Sequence, residues 1–528
     1  MHSPGRPRTA GASAVSRFAA VLTALVLAAF VGGCAVGPDT GPDIVRGDDE
    51  GGQATGAPEQ PALQAPKKDL NWRQCAGSIA QRYGVTVPDG VKLDCARLDV
   101  PVDPAQQSGT TIKVGVVRAR TDATPAGAVP LVLTSGEDMP SSRTLLSFAT
   151  GADHGILDRR PVIAVDHRGI GTSGLIDCMT TTQRSVYDDN GAGDGRDVAA
   201  RAEKLSEAAR AAADQCNDTL TPDQLDYSAA AAGEDLEQLR QRWDVDRLAI
   251  LSVGTGSSVA LAFAAAHPDH VGRLILDSPV GYNVSAKAAA QSRARGLQAT
   301  LTAFTQRCAG AGCSLGAGGA AVLGRLMSSG AGGQVGALSD TQVLDALTTA
   351  LAVGDTSPDG LRELSTALTA ADRGDTGALR KLADRARSLR LADGQIVARC
   401  NDMRGRPGTD EIPALARDWN AQNPLTAGTT ALDLVRCDGW GVADSPAAPE
   451  RFAVDPLVLV GQNDPINGAA AADDLTPLML AADTAQTTVS WDGLGYSVAA
   501  NSTCAGDLIG EYLGPAPLGA PSERACPA

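Results

Sequence analysis

The chain has 528 residues, 43% hydrophobic and 20% charged, enough for one large α/β domain with an insertion or for two domains. Its net charge of −16 opposes polyanions over most of the surface, which sets nucleic-acid binding aside. Aromatics are only 3%, a composition that suits tightly packed helices better than a base-stacking platform.

Residues 1–33 read as a targeting segment. Arg6, Arg8 and Arg17 form a positive leader, and Phe18 to Val31 is an apolar stretch too short for an ordinary spanning helix. The closing Val31-Gly32-Gly33-Cys34 resembles the bacterial lipobox. It implies cleavage before Cys34, lipid on the Cys34 sulfur, and export to the outer face of the cytoplasmic membrane. An ordinary secretory signal followed by a chance cysteine is the alternative. Residues 34–70 are rich in Pro, Gly and acids, a solvated tether spanning roughly 30 Å if it behaves as a flexible coil. No later stretch is long and apolar enough to cross a bilayer.

Apart from Cys34, the cysteines are Cys75, Cys95, Cys178, Cys216, Cys308, Cys313, Cys400, Cys437, Cys504 and Cys526, an even number that suits an oxidising compartment. Pairing sequence neighbours is the simplest of the many connectivities. With no C-x-x-C pair and no histidine at ligand spacing, neither a metal nor another cofactor is expected.

From Trp72 onward, short β-branched runs alternate with helical patterns. The predicted strands are Thr111 to Val117, Pro130 to Thr134, Pro161 to Asp166, Arg247 to Val253, Arg273 to Asp277, Pro456 to Gly461 and Thr487 to Trp491. This alternation predicts a mostly parallel, doubly wound sheet, with residues 71–280 as its first part and 451–528 as its second. Residues 281–450 read as a helical insertion. Ser339 and Asp340 open a run with Val343, Leu344, Leu347 and Leu351, and Ser357-Pro358 opens another with Leu361, Leu364 and Leu368. Gly310 to Gly336 reads as a low-complexity loop. An insertion between late strands predicts a cap over the strand ends, where such sheets bind ligands. The basic residues from Arg362 to Arg390 read as the solvated face of cap helices, and Trp72, Trp440 and Trp491 as core aromatics.

Four segments together resemble the exported tripeptidyl-aminopeptidase-like branch of the α/β hydrolases, relatives of the proline iminopeptidases. They are Asp166-His167-Arg168-Gly169-Ile170-Gly171-Thr172-Ser173, then Ala265 to Val271 leading into Leu274-Ile275-Leu276-Asp277, then Gly461-Gln462-Asn463-Asp464-Pro465, and finally the tail from Cys504 to Cys526. The resemblance implies an α/β-hydrolase fold and a Ser-His-Asp hydrolase. Its serine belongs at the tip of a G-x-S-x-G turn, and here that turn reads Ser252-Val253-Gly254-Thr255-Gly256. Gly254 offers no nucleophile and relieves the strain of a positive-φ tip. The resemblance sets the histidine against Gly493-Leu494-Gly495, and Leu494 accepts no proton. The oxyanion loop becomes Ser135-Gly136-Glu137-Asp138, with carboxylates where donors are needed. Asp464 persists at the acid position, where turn capping is its expected role, with Pro465 opening a helix.

His154, His267 and His270 are expected near helix ends, and His167 in its loop. Ser252 is expected in sheet packing, and Thr255, Ser257 and Ser258 in the start of the next helix. Three readings stand. The first is an inactive hydrolase-fold protein that binds a peptide or acyl ligand or a cell-envelope protein partner. The second is a working peptidase or esterase with unorthodox residues. The third is a tethered scaffold without a pocket.

Overall fold

The β-branched runs assemble into one ten-stranded sheet in the computed structural model, which describes residues 60–106, 109–151, 155–193, 195–516, 518 and 521–528. The targeting segment, Cys34, all of the tether before residue 60, and His154 lie outside the described residues. The strands are β1 (Arg73–Gln74), β2 (Val91–Pro101), β3 (Thr111–Thr121), β4 (Leu131–Thr134), β5 (Val162–Val165), β6 (Leu248–Val253), β7 (Val271–Asp277), β8 (Leu457–Asn463), β9 (Thr487–Leu494) and β10 (Glu523–Cys526).

Their spatial order is β1-β2-β3-β5-β4-β6-β7-β8-β9-β10. The pairs β1/β2, β2/β3 and β3/β5 are antiparallel, and every pair from β5/β4 to β9/β10 is parallel. The chain leaves β4 toward β5 on one side and returns as β6 on the other. This reversal opens a crevice at the carboxyl ends of β4 and β6, the place where open α/β sheets bind ligands.

The buried side chains alternate between the two faces of the sheet with period two. Leu131, Leu133, Leu251, Val253, Ile275 and Leu459 pack into the core on one face, while Val132, Ile250, Leu274, Leu276 and Val458 pack on the other. The strands β1, β2 and β10 were not predicted. In β2, exposed Lys92, Arg97 and Asp99 alternate with buried Leu93, Leu98 and Val100, an edge-type pattern that lacks a continuous apolar run.

Between β7 and β8 lie only helices and loops, among them Ala286–Gly310, Asp340–Val353, Pro358–Asp372 and Gly377–Arg390. Ser339 caps Asp340–Val353 in a reciprocal box with Gln342, and Ser357 caps Pro358–Asp372 with Pro358 in the first turn. Gly310 to Gly336 is not a loop throughout. It contains the helix Gly319–Gly330, because Val322, Leu323 and Leu326 form an apolar stripe that packs into the cap's own core.

The cap also draws on a second segment. The helices Thr181–Asp189 and Val198–Leu220, between β5 and β6, bond to the insertion through the buried pair Arg201–Asp340 (2.8 Å) and through Arg184–Asp393 (2.8 Å). Five disulfides join sequence neighbours: Cys75–Cys95, Cys178–Cys216, Cys308–Cys313, Cys400–Cys437 and Cys504–Cys526. Trp440 and Trp491 are buried, whereas Trp72 is half-buried and carries the Arg118 guanidinium 4.4 Å over its ring.

Candidate functional site

The sharp turn after β6 has the expected shape. Gly254 has φ +58°, its amide donates to the Asp277 carbonyl (3.0 Å), and the helix Gly256–Ala266 follows. Gly256 abuts β4 so closely that a Cβ there would lie 2.1 Å from the Thr134 carbonyl oxygen. A Cβ on Gly254 would lie 2.0 Å from Asp138 Oδ2 and 2.7 Å from both the Asn467 amide nitrogen and the Tyr496 hydroxyl. The space of the missing nucleophile is therefore filled by a carboxylate from the neighbouring loop.

Three donors converge on that one oxygen of Asp138. They are the Thr255 backbone amide (3.0 Å), Asn467 Nδ2 (2.7 Å) and the Tyr496 hydroxyl (3.0 Å). The Thr255 amide is the donor that would hold an oxyanion in a working elbow, so Asp138 occupies the oxyanion position from within. Burial and the nearby Glu137 raise its pKa, partly offset by the Thr255 amide and Asn467. Glu137 turns away and pairs with Arg399 (2.8 Å). Of the two carboxylates expected in the oxyanion loop, only Asp138 reaches the donor.

Each member of the cluster is placed by a neighbour. The Thr255 hydroxyl accepts from the Glu137 and Asp138 amides (3.2 and 3.1 Å) and donates to the Ser135 carbonyl (3.2 Å), which fastens the loop to the elbow. Asp464 accepts from the amides of Ile466 (2.8 Å) and Asn467 (3.4 Å), the expected turn cap, and so aims Asn467 at Asp138. No helix starts at Pro465, because the chain bends there and turns helical again only at Ala470. Burial pushes the Asp464 carboxyl up to about 7. At the end of β7, Asp277 accepts from Val498 and Ala499 amides (both 2.9 Å) and the Ser497 hydroxyl (2.8 Å), pinning the loop that presents Tyr496.

Leu494 faces the cap, where its side chain packs into the cap's apolar core with residues such as Leu301 and Phe304. The side chain that reaches the elbow from this loop is Tyr496, two residues on. Burial and Asp138 raise its phenol well above the ordinary value, so it serves as a donor. Asn467 and Tyr496 both escaped the sequence reading. A polar-tipped aromatic directly after Gly495 was the available signal.

The other hydroxyls and imidazoles lie as follows. Ser252 is fully buried and donates to the Ile275 carbonyl (3.2 Å), and Ser257 accepts from the Val280 amide (3.2 Å). His167 is buried, with Nδ1 3.0 Å from the Arg168 carbonyl, and burial depresses it to about 4. His267 and His270 stand at the far end of the elbow helix. Among the described residues, no histidine bonds to Asp464, Asp138 or Thr255.

A cavity of about 260 Å³ opens between this cluster and the cap. Its floor includes Asp138, His167, Thr255 and Ser258, and its roof includes Arg293, Arg387, Arg390 and Arg399. Arg387 and Arg390 thus face the cleft, not only solvent as expected, since Asp188 and Asp345 draw them inward (3.2 and 3.5 Å). A scaffold with no pocket is inconsistent with this space.

A family profile described as "alpha/beta hydrolase fold" matches residues 147–318, which include the elbow. The chain has an α/β-hydrolase fold. Curated relatives are the proteins named serine protease Hip1 of Mycobacterium tuberculosis (strain ATCC 25618 / H37Rv) and Mycobacterium bovis (strain ATCC BAA-935 / AF2122/97). Each is 25% identical over 271 residues, 51% of this chain and 49% of the relative. The chain therefore spans about half the length of the curated relatives it matches. Solved hydrolase-fold structures that resemble it include a proline iminopeptidase of Mycobacterium smegmatis (13% identity, 79% of this chain and 97% of that one, TM-score 0.35). Another is a point mutant of the esterase E22 (14%, 80% and 100%, TM-score 0.38). Within the hydrolase fold, the D-x-R-G loop is structural here. Asp166 accepts from the amides and hydroxyls of Ser142 and Thr172, and Arg168 forms a buried pair with Asp235 (2.6 Å).

Proposed function

We propose that this protein is a non-catalytic member of the tripeptidyl-aminopeptidase-like hydrolases, exported and held at the outer face of the cytoplasmic membrane by lipid on Cys34. Its capped cavity binds a peptide or acyl ligand, or it serves a protein partner of the cell envelope. The observation that carries this reading is the Asp138 carboxylate seated on the Thr255 amide against Gly254. In a triad hydrolase, loss of the serine or histidine alone costs roughly a millionfold in turnover. Here the Asp138 carboxyl oxygen also occupies the place where negative charge would develop. The competing reading, an active serine hydrolase or aminopeptidase with non-standard residues, draws on the likeness to serine protease Hip1.

The test uses chromogenic esters and peptide amides with the purified full chain. The proposal expects turnover indistinguishable from an unrelated protein of equal concentration, together with a saturable rise in melting temperature from one peptide or acyl series. Turnover that persists through repeated purification and disappears on substitution of Ser258 supports the competing reading.

A further inference from the structure

A second constellation stands apart from the elbow, at the opposite end of its helix. Glu234 and Glu237 lie three apart on one face of the helix Ala229–Trp243, and His267 and His270 lie three apart where Gly256–Ala266 ends in the turn Pro268–His270. The two pairs meet one to one. His267 Nε2 is 2.9 and 3.0 Å from the Glu234 carboxylate oxygens, and His270 Nδ1 is 2.9 Å from Glu237 Oε2. The imidazole rings stack, with centroids 5.5 Å apart and planes 9° apart. One donor atom each from Glu237, His267 and His270 lies within 4.8 Å of the others.

We infer that Glu237, His267 and His270 bind one divalent cation of the zinc class, with Glu234 holding the His267 ring. Two imidazoles and a carboxylate form a nitrogen-oxygen donor set typical of zinc, whereas magnesium prefers oxygen alone. Zinc bonds of about 2.0–2.2 Å require the donors to close in by about 1 Å, a movement open to the His267 and His270 side chains, which are one-fifth to one-third exposed. Glu237 is held in place by bonds from Arg240 and Gln241 (2.6 to 2.8 Å), so the two imidazoles move toward it. An outer carboxylate bonded to a ligating imidazole, as Glu234 is to His267, is the usual support of a bound metal. Such an ion would tie the elbow helix to its neighbour without touching the cavity. The expectation of no metal rested on the lack of a C-x-x-C pair and of histidines at ligand spacing, and it overlooked that His267 and His270, three apart, meet Glu237 of the neighbouring helix.

The test is calorimetric titration of metal-stripped, tag-free protein with zinc chloride, with magnesium chloride in parallel. The inference expects one equivalent of zinc bound, no response to magnesium, and a visible absorption of a four-coordinate ion when cobalt(II) is used. His270→Gln, at a partly exposed position, should weaken zinc binding at least about tenfold, and the His267→Gln/His270→Gln pair should abolish it. Glu234→Gln should weaken it about tenfold through the ring it orients. Failure of the wild type to bind zinc overturns the inference. So does unchanged affinity in the two-histidine variant, or magnesium binding as tight as zinc.

Discussion

At Gly254 two constraints act together: a backbone φ of +58° and a carboxylate oxygen 2.0 Å from where a Cβ would stand. Gly254→Ala should destabilise the fold by about 2–4 kcal/mol in urea titration, combining positive-φ strain with displacement of a buried, triply bonded carboxylate. Gly254→Ser should suffer the same loss and gain no esterase activity, since the nearby phenol of Tyr496 is held protonated. Asp464 gives a pH signature. Its folded pKa near 7 lies above the ordinary value of 3.8, so the folded state keeps a proton that the unfolded chain has released. Its contribution is fully present below about pH 4 and is lost as pH rises through 7, amounting to at most about 4 kcal/mol. Asp464→Asn, which retains the turn-capping oxygen, should flatten that decline in stability curves measured from pH 4 to 8. Gly254, Asp138 and Asp464 were legible because each sits inside a segment whose pattern carries its own register. Tyr496 was not, since the loop Gly493-Leu494-Gly495-Tyr496 offers two candidate positions and only the three-dimensional path from β9 chooses between them.

Among the elements, the parallel strands β4 to β9 and the inner half of the antiparallel β3 are legible, because apolar or β-branched runs mark them. β2 was missed because an antiparallel strand with one wetter face mixes charge into its pattern. The insertion's helix starts were legible from their caps, Ser339 and Ser357, but the contribution of Val198–Leu220 to the cap was not. That helix is assigned by the long-range pair Arg201–Asp340, which no local pattern encodes. Arg201→Met leaves Asp340 buried without its charge partner and should cost about 3–5 kcal/mol. Hydrogen exchange should then rise in Val198–Leu220 and Asp340–Val353 while β4 and β6 stay protected. Uniform acceleration across the sheet would show that the cap does not open on its own.

For the molecule as a whole, the disulfides distribute stability between layers. Cys75–Cys95 and Cys504–Cys526 tie the sheet's margins, and Cys178–Cys216 and Cys400–Cys437 brace the cap. Closing a loop with a sequence separation of 38, as Cys178–Cys216 does, is worth about 2–4 kcal/mol. Replacing both of its cysteines by serine should lower the melting temperature measurably, and thiol titration of the native chain should find none of the ten paired sulfurs reactive. On this frame the fold keeps the crevice of a hydrolase and closes its catalytic corner from inside. Intact-protein mass spectrometry after exposure to a fluorophosphonate tests that claim most directly. The account predicts an unchanged mass at native pH even after long incubation, and a single stoichiometric adduct on any serine or threonine of the cavity would contradict it.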